Sequence, residues 1–290
     1  MADKTPFKRW LGKLQNGLLR SLIGLLLVLP YRWRVPLCGW VMAYVIAPLA
    51  GYDKRVRDNL ALIMPDLPQA EIKRMVREVP RNVGRTLIEI YSGAEFIARA
   101  TAEPLQGDGL AALDQAHADG RPVILVTGHF GNYDASRAAL IARGYRVGAL
   151  YRPMGDPDFN AHYVKAISRI GTPVFPRGRL GLGDMVRFLR SGGMLGLLMD
   201  QQISSGVSLD FMGQPAMTAL SAADLALKYD ALVVPTYAVR RAGGLDFDII
   251  IEKPIPHGTA EEMTQALNDS LGRLVRKYPD QWFWIHRRWK

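Results

Sequence analysis

The chain has 290 residues, 49% of them hydrophobic and 22% charged, which is enough apolar sequence for a sizeable core and excludes a disordered chain. Its one cysteine, Cys38, excludes an intramolecular disulfide framework and any multi-cysteine metal site, and fits a reducing compartment. A net charge of +10 points to anionic partners, and the chain lacks an RNP-type motif, a zinc finger or a basic helix with interleaved aromatics, so nucleic acid is not the expected one.

The charge is concentrated at the start. Residues 1–60 hold ten Lys/Arg (Lys4, Lys8, Arg9, Lys13, Arg20, Arg32, Arg34, Lys54, Arg55 and Arg57) against three Asp, a net +7. The most apolar runs, 22–30 and 35–51, lie in the same stretch. A basic and apolar N-terminus reads as facing an anionic membrane surface. The second run is free of charge across 17 residues but is interrupted by Pro36 and Pro48. Neither run is a clean span, which takes about 20 apolar residues. With Tyr31, Trp33, Trp40 and Tyr44 as interfacial aromatics, the two form a helical hairpin or a shallow anchor; the alternative is a pair of buried core helices. A cleaved signal peptide is not expected, because Arg32 and Arg34 follow the first run directly and no small-residue cleavage site does. Positive flanks keep the segment on the cytoplasmic side.

Residues 52–103 read as helical, with Ile72, Met75, Val76 and Val79 at helical spacing behind the Asp66-Leu67-Pro68 turn. From 104 the pattern alternates. Strands are predicted at 123–127, 147–151, 173–175, 194–199, 232–239 and 247–252. Helices are predicted at 133–143, 157–170, 183–190, 218–229 and 259–277. The fold class is therefore α/β: a mixed, largely parallel sheet flanked by helices, with a helical membrane-associating N-terminal part. Three segments result: 1–51 for membrane association, 52–103 helical, and 104–290 catalytic.

The chemistry is expected at His129-Phe130-Gly131-Asn132-Tyr133-Asp134, which follows the first strand and opens a helix. Active sites collect at such strand ends in open α/β sheets. The turn, freed by Gly128 and Gly131, folds Asp134 back so that it accepts from one ring nitrogen of His129 while the other takes a proton. The alternative is a helix-start histidine and a first-turn acid stabilised by the helix dipole. There is no Gly-x-Ser-x-Gly elbow, P-loop or metalloprotease motif, and Cys38 lies far from His129 in sequence. The expected substrate proton is then on an incoming hydroxyl, in a transfer without a covalent enzyme intermediate. His117, His162 and His257 read as structural or solvated, and the five histidines show no metal-ligand spacing, so neither a metal nor a cofactor is expected.

The ordered set Gly128 to Asp134, Tyr151-Arg152-Pro153 with Asp156-Pro157, Arg177-Gly178, Met199-Asp200-Gln201, Phe211-Met212-Gly213, Val234-Pro235 and the Trp-rich ending from Tyr278 to Lys290 resembles the late acyltransferases of lipid A biosynthesis, of lauroyl and myristoyl type. These lie within the wider glycerolipid acyltransferases that carry His-x4-Asp/Glu. Val56-Arg57-Asp58-Asn59-Leu60 with Met64-Pro65 extends the likeness upstream.

The resemblance implies O-acylation of a glycolipid, a lipid A precursor, by a fatty acyl thioester of acyl carrier protein or coenzyme A, at the cytoplasmic face of a bacterial inner membrane. It implies His129 as general base, Asp134 orienting it, and Arg152, Arg169, Arg177 and Asp200 as substrate-binding residues; Asp200 could instead order Arg177. The tetrahedral oxyanion would take donors from backbone N–H groups around Gly131 or from an arginine. This chain has Ile167-Ser168-Arg169 where many relatives carry Arg-x-Arg. The ending 282–290, with three tryptophans, lies on the membrane or packs beneath the sheet. Other readings are an acyltransferase for a different lipid (phospholipid, aminolipid or phosphoinositide mannoside) and a non-catalytic peripheral membrane protein on the same scaffold.

Overall fold

The computed structural model describes residues 6–290, with side chains from Asn16 onwards except that of Leu180. Lys4, Lys8, Arg9 and Lys13 of the expected basic N-terminus lie outside those side chains. A six-stranded sheet organises the chain: β1 (Val123–Thr127), β2 (Val147–Tyr151), β3 (Val174–Pro176), β4 (Met194–Leu198), β7 (Leu232–Arg240) and β8 (Phe247–Ile251). Its order is β3-β2-β4-β1-β7-β8, parallel throughout except for the antiparallel edge strand β8. Parallel strands are covered on both faces, which is why β1 reads Val-Ile-Leu-Val-Thr without alternation, all five residues buried.

The two faces have separate cores. Val123, Leu125, Val147 and Met194 pack beneath α8 (Tyr133–Ala142) and α9 (Pro157–Ile170). Ile124, Val126, Leu195 and Leu197 pack on α10 (Arg179–Arg190), α11 (Ser221–Tyr229) and α12 (Ala260–Lys277). A third cluster joins α4 (Tyr52–Ile63) and α5 (Gln69–Tyr91) to Phe130, Tyr237 and the C-terminal tryptophans.

Helices α1 (Pro6–Val28) and α2 (Tyr31–Val41) lead through a π-helical turn, Met42–Ile46, and the short α3 (Ala47–Leu49) into α4. Their inner face is core: Ile23, Leu26, Tyr31, Val35 and Cys38 share a cluster with Ile88 and Tyr91 of α5 and with the sheet. Their outer face leaves Leu18, Leu25, Val28, Trp33, Trp40 and Leu49 exposed by 50% or more. Among the described residues no single helix is long and apolar enough to cross a membrane; Tyr31–Leu49 and Tyr52–Ile63, bent by 88°, meet that test only together.

The helices α6 (Ala94–Ala100) and α7 (Leu110–Ala118) link this part to β1. The spacing of apolar residues does not mark α7, nor the hairpin of β5 (Val207–Phe211) and β6 (Gln214–Thr218). In β5 only alternate residues face inward, and the hairpin turns at Met212 (φ 60°) and Gly213 (φ 91°). A methionine in the left-handed region carries none of the usual Asn-Gly signal for such a turn. Helix α10 begins at Arg179, four residues before the predicted start, because Gly181 and Gly183 weaken the local helix signal.

Candidate active site

Parallel pairing places Thr127 beside Leu198 at the ends of β1 and β4. Two residues further along each chain stand His129 and Asp200. Register alone thus brings together two groups that are 71 residues apart in sequence. His129 Nδ1 lies 2.7 Å from Asp200 Oδ1, and the His129 backbone N–H donates to Asp200 Oδ2 at 2.7 Å. The Trp282 indole N–H donates to the same Oδ2 at 2.9 Å. Glycine at 128 is required for this approach, since a Cβ there would lie 2.7 Å from Leu271 and 3.0 Å from Asp200 Oδ2.

The Asp200 side chain has no solvent exposure. Burial alone would raise its pKa, but the charge of His129, with the hydrogen bonds from its ring and backbone N–H, holds it well below the ordinary carboxylate range. An ionised Asp200 fixes the His129 tautomer with the proton on Nδ1, leaving Nε2 as the basic nitrogen. Nε2 lies 3.5 Å from the Gln201 side-chain nitrogen. His129 opens onto a cleft of about 260 Å³ walled by Val79, Val83, Leu87 and Ile90 of α5, with Tyr163 and Phe283.

Asp134 is placed differently from the expectation. Its carboxylate, nearly buried, accepts from Arg137 Nε at 2.9 Å and forms an ion pair with that guanidinium, Nη2 lying 2.8 Å away. Arg137 in turn donates to the carbonyls of Ile167 and Gly171, tying α8 to the end of α9. The carboxylate that holds His129 is Asp200. The reason lies in the turn: Asn132 caps α8 by accepting from the Asp134 N–H, and Asp134 already belongs to the first helical turn, facing α9.

Arg152 and Arg177 follow the ends of β2 and β3, on the same edge of the sheet as His129, and Arg177 N–H donates to the Tyr151 carbonyl at 2.8 Å. Both are exposed, and neither has an ion-pair partner among the described residues. Arg169 is not brought to them. It sits in the last turn of α9, which runs from the β2 exit back to the start of β3, at the opposite end of the sheet. Asp200, engaged by His129 and Trp282, makes no hydrogen bond to Arg177. Gly131, with φ +54° and the Ala238 carbonyl 1.9 Å from where a Cβ would stand, must be glycine. Its N–H donates to the Gln281 carbonyl at 2.9 Å, so it is not free to hold an oxyanion.

The C-terminal segment completes the site, which no local pattern foretells. Trp282, Trp284 and Arg288 are fully buried and the segment packs inside the molecule, not on its surface. Trp282 bridges Phe130, and the Phe283 N–H donates to the His129 carbonyl at 3.0 Å. The His286 ring stands edge-on to His129, centroids 4.7 Å apart. Burial and the neighbouring His129 push the His286 pKa down to about 4, so it stays neutral. Although the spacing of the histidines shows no metal pattern, the fold gathers His129, Asp200 and His286 with one ligand-type atom of each within 4.8 Å of the others. In this arrangement His129 Nδ1 is taken by its hydrogen bond to Asp200.

Behind the turn, Asn132 Nδ2 donates to Glu89 at 2.8 Å, and Glu89 forms a buried ion pair with Arg240. Cys38 is buried away from this edge; burial first, and the charge of Glu89 second, raise its thiol pKa to about 11, so it is no thiolate nucleophile.

An open α/β sheet that carries a carboxylate-held imidazole above an apolar cleft is a frame on which an enzyme can do acid–base chemistry. Residues 6–290 match the family described as bacterial lipid A biosynthesis acyltransferase, and the chain belongs to that family. It is an acyltransferase acting on lipid. It is 24% identical over 248 residues to a phosphatidylinositol mannoside acyltransferase of Mycobacterium tuberculosis, covering 82% of this chain and 78% of that protein. To the lipid A biosynthesis lauroyltransferase of Escherichia coli K12 it is 24% identical over 243 residues (82% and 78% covered), and to a lipid A biosynthesis acyltransferase of Haemophilus influenzae 22% over 264 residues (90% and 83% covered).

Proposed function

We propose that this enzyme moves a fatty acyl group from a thioester of acyl carrier protein or coenzyme A to a hydroxyl of a lipid A precursor, working at the cytoplasmic face of a bacterial inner membrane. The observation that carries the chemistry is the buried Asp200 on His129 Nδ1, with His129 lining an apolar cleft. His129 Nε2 takes the proton of the acceptor hydroxyl as its oxygen attacks the thioester carbonyl carbon. Asp200 stabilises the imidazolium that forms. The C–S bond then breaks and the departing thiolate takes the proton back from His129. Asp134 acts at one remove, by keeping Arg137 and hence α8 and α9 in place. Arg152 and Arg177, at the same end of the sheet and without an ion-pair partner among the described residues, suit phosphate groups of donor or acceptor.

The exposed apolar face of α1–α3, with Arg20 and Arg32 on the same helices and Lys54 and Arg57 just beyond them, supports docking on an anionic membrane; 104–290 then carries the chemistry while 1–103 supplies the docking face and one wall of the cleft. A second acceptor class is favoured by one observation: relatives named for phosphatidylinositol mannoside and for lipid A align over similar lengths of this chain. Mass spectrometry of lipid A separates the two. A strain lacking the gene should lose one acyl chain, wild type should restore it and His129→Ala should not. Unchanged lipid A would move the acceptor to another hydroxylated glycolipid.

A further inference from the structure

A second cavity, of about 240 Å³, lies away from the sheet, between the π-helical turn and α3 on one side and the beginnings of α4 and α5 on the other. Tyr44 and Pro48 belong to its wall, with Asp53 and Arg57 from α4 and Lys73 and Arg77 from α5. Residues four apart share one side of a helix, so each of the two helices brings a pair of charged side chains to the same space.

The charges in this wall are arranged unlike those around it. Elsewhere on the same helices Lys54 pairs with Asp58, Arg74 with Glu71 and Arg81 with Glu78. Arg57, Lys73 and Arg77 are exposed and have no ion-pair partner among the described residues. Arg77 lies instead over the Tyr44 ring, 5.8 Å from its centroid, which holds the guanidinium at the wall. Like charges one turn apart repel, so the cluster costs stability unless an anion enters. Asp53 is not that anion. Among the described residues it forms no ion pair and accepts no hydrogen bond, although its Oδ1 is buried. Three cations thus lack a counter-charge here, and one carboxylate lacks a donor.

The position says what kind of anion fits. Tyr44 and Pro48 belong both to the cavity and to the outer face of these helices, where Trp40, Val45, Ile46 and Leu49 are exposed. With that face laid on a bilayer, the cavity stands at the level of the lipid headgroups. Two guanidinium forks and an ammonium suit a phosphodiester. At ~30 Å³ for each water the space takes roughly eight waters, so it holds a phosphate and part of the alcohol esterified to it. An ammonium on that alcohol would be repelled by the three cations. A hydroxyl would not, and it can donate to Asp53.

We propose that this cavity is a headgroup site for an anionic phospholipid whose phosphate carries a hydroxylated alcohol, phosphatidylglycerol being the simplest, and that it fixes the orientation of the enzyme on its membrane. Such binding presupposes the membrane docking inferred above, and adds a specific lipid to a surface otherwise held by apolar area and diffuse charge.

The test uses the purified full-length enzyme and phosphatidylcholine vesicles with the same mole fraction of either phosphatidylglycerol or phosphatidylserine. The two lipids have equal net charge, but only the first offers headgroup hydroxyls and only the second an ammonium. In sedimentation the wild type should bind phosphatidylglycerol vesicles about threefold or more tighter, the worth of a hydrogen bond. Lys73→Gln with Arg77→Gln should weaken that binding ~10-fold or more and abolish the preference. Arg190→Gln with Lys228→Gln, the same charge removed from α10 and α11, should preserve the preference. Asp53→Ala should lose the preference and still bind both vesicles. Should the Lys73 and Arg77 double variant melt early, Arg57→Gln takes its place. Equal binding of both lipids by the wild type, or a preference that survives the loss of Lys73 and Arg77, overturns the proposal while leaving membrane docking standing. A higher KM of the double variant for an acyl carrier protein thioester, with vesicle binding unchanged, assigns the cations to the carrier protein and overturns it too. A wild type that sediments with neither vesicle overturns the docking reading as well.

Discussion

A carboxylate without solvent access and with three donors on its two oxygens is locked as an anion, and that is the condition of Asp200. Asp134 is also buried and ionic, but its partner is Arg137. The two aspartates should therefore fail differently. Asp200→Asn, near-isosteric, removes the acceptor that fixes the His129 tautomer, so kcat should drop by about 10²- to 10⁴-fold with KM little changed. Asp134→Asn leaves a buried guanidinium without its counter-charge and should cost about 3 kcal/mol of stability, seen as a fall in melting temperature. Steady-state kinetics beside thermal unfolding checks both; an Asp134→Asn enzyme that melts like wild type but has lost turnover would assign that residue to the chemistry instead.

At the scale of elements, the C-terminal segment binds the site together. Asn59 of α4 donates to the carbonyls of Trp284 and His286 at 2.7 and 2.8 Å, and Arg288 reaches Met217 and Thr218 of β6. The segment thereby links the N-terminal helices, the hairpin and the His129–Asp200 pair. It should also be its acid-sensitive part. Burial holds His286 at about 4 against its ordinary 6.5, so between those values the unfolded chain binds a proton that the folded one refuses. Stability should consequently fall as pH drops from about 6.5 towards about 4. Hydrogen exchange of 279–290 should speed up over this window, and His286→Gln should flatten the response. A wild-type segment equally protected at both ends of the window would remove His286 as the cause.

The whole molecule presents two unlike surfaces. One side of α1–α3 is core and the other leaves Trp33, Trp40 and Leu49 half to nearly fully exposed. Apolar exposure rimmed by Arg and Lys fits a helix pair lying in a membrane interface. Replacing Trp33, Trp40 and Leu49 together by serine should cut sedimentation with anionic vesicles at least ~10-fold, given the apolar area lost, while the melting temperature stays within a few degrees. Raising salt should weaken binding of the wild type, since the cationic part of the attraction is screened. Vesicle binding that survives the triple change would move the docking surface elsewhere.

Apart from α7 and the β5–β6 hairpin, the sequence by itself determined the alternation of strands and helices after residue 104, because buried parallel strands and amphipathic helices write their periods into consecutive residues. It also marked His129 as the candidate centre of a site: a histidine just past an apolar strand and before a capped helix is legible locally. Its partner was not. Asp134 is five positions away and Asp200 seventy-one, and only the register of β1 against β4 decides which carboxylate meets the ring. The same holds for Trp282 and His286, which the chain end delivers by folding back over the sheet, and for Arg169, which helix length carries to the far edge.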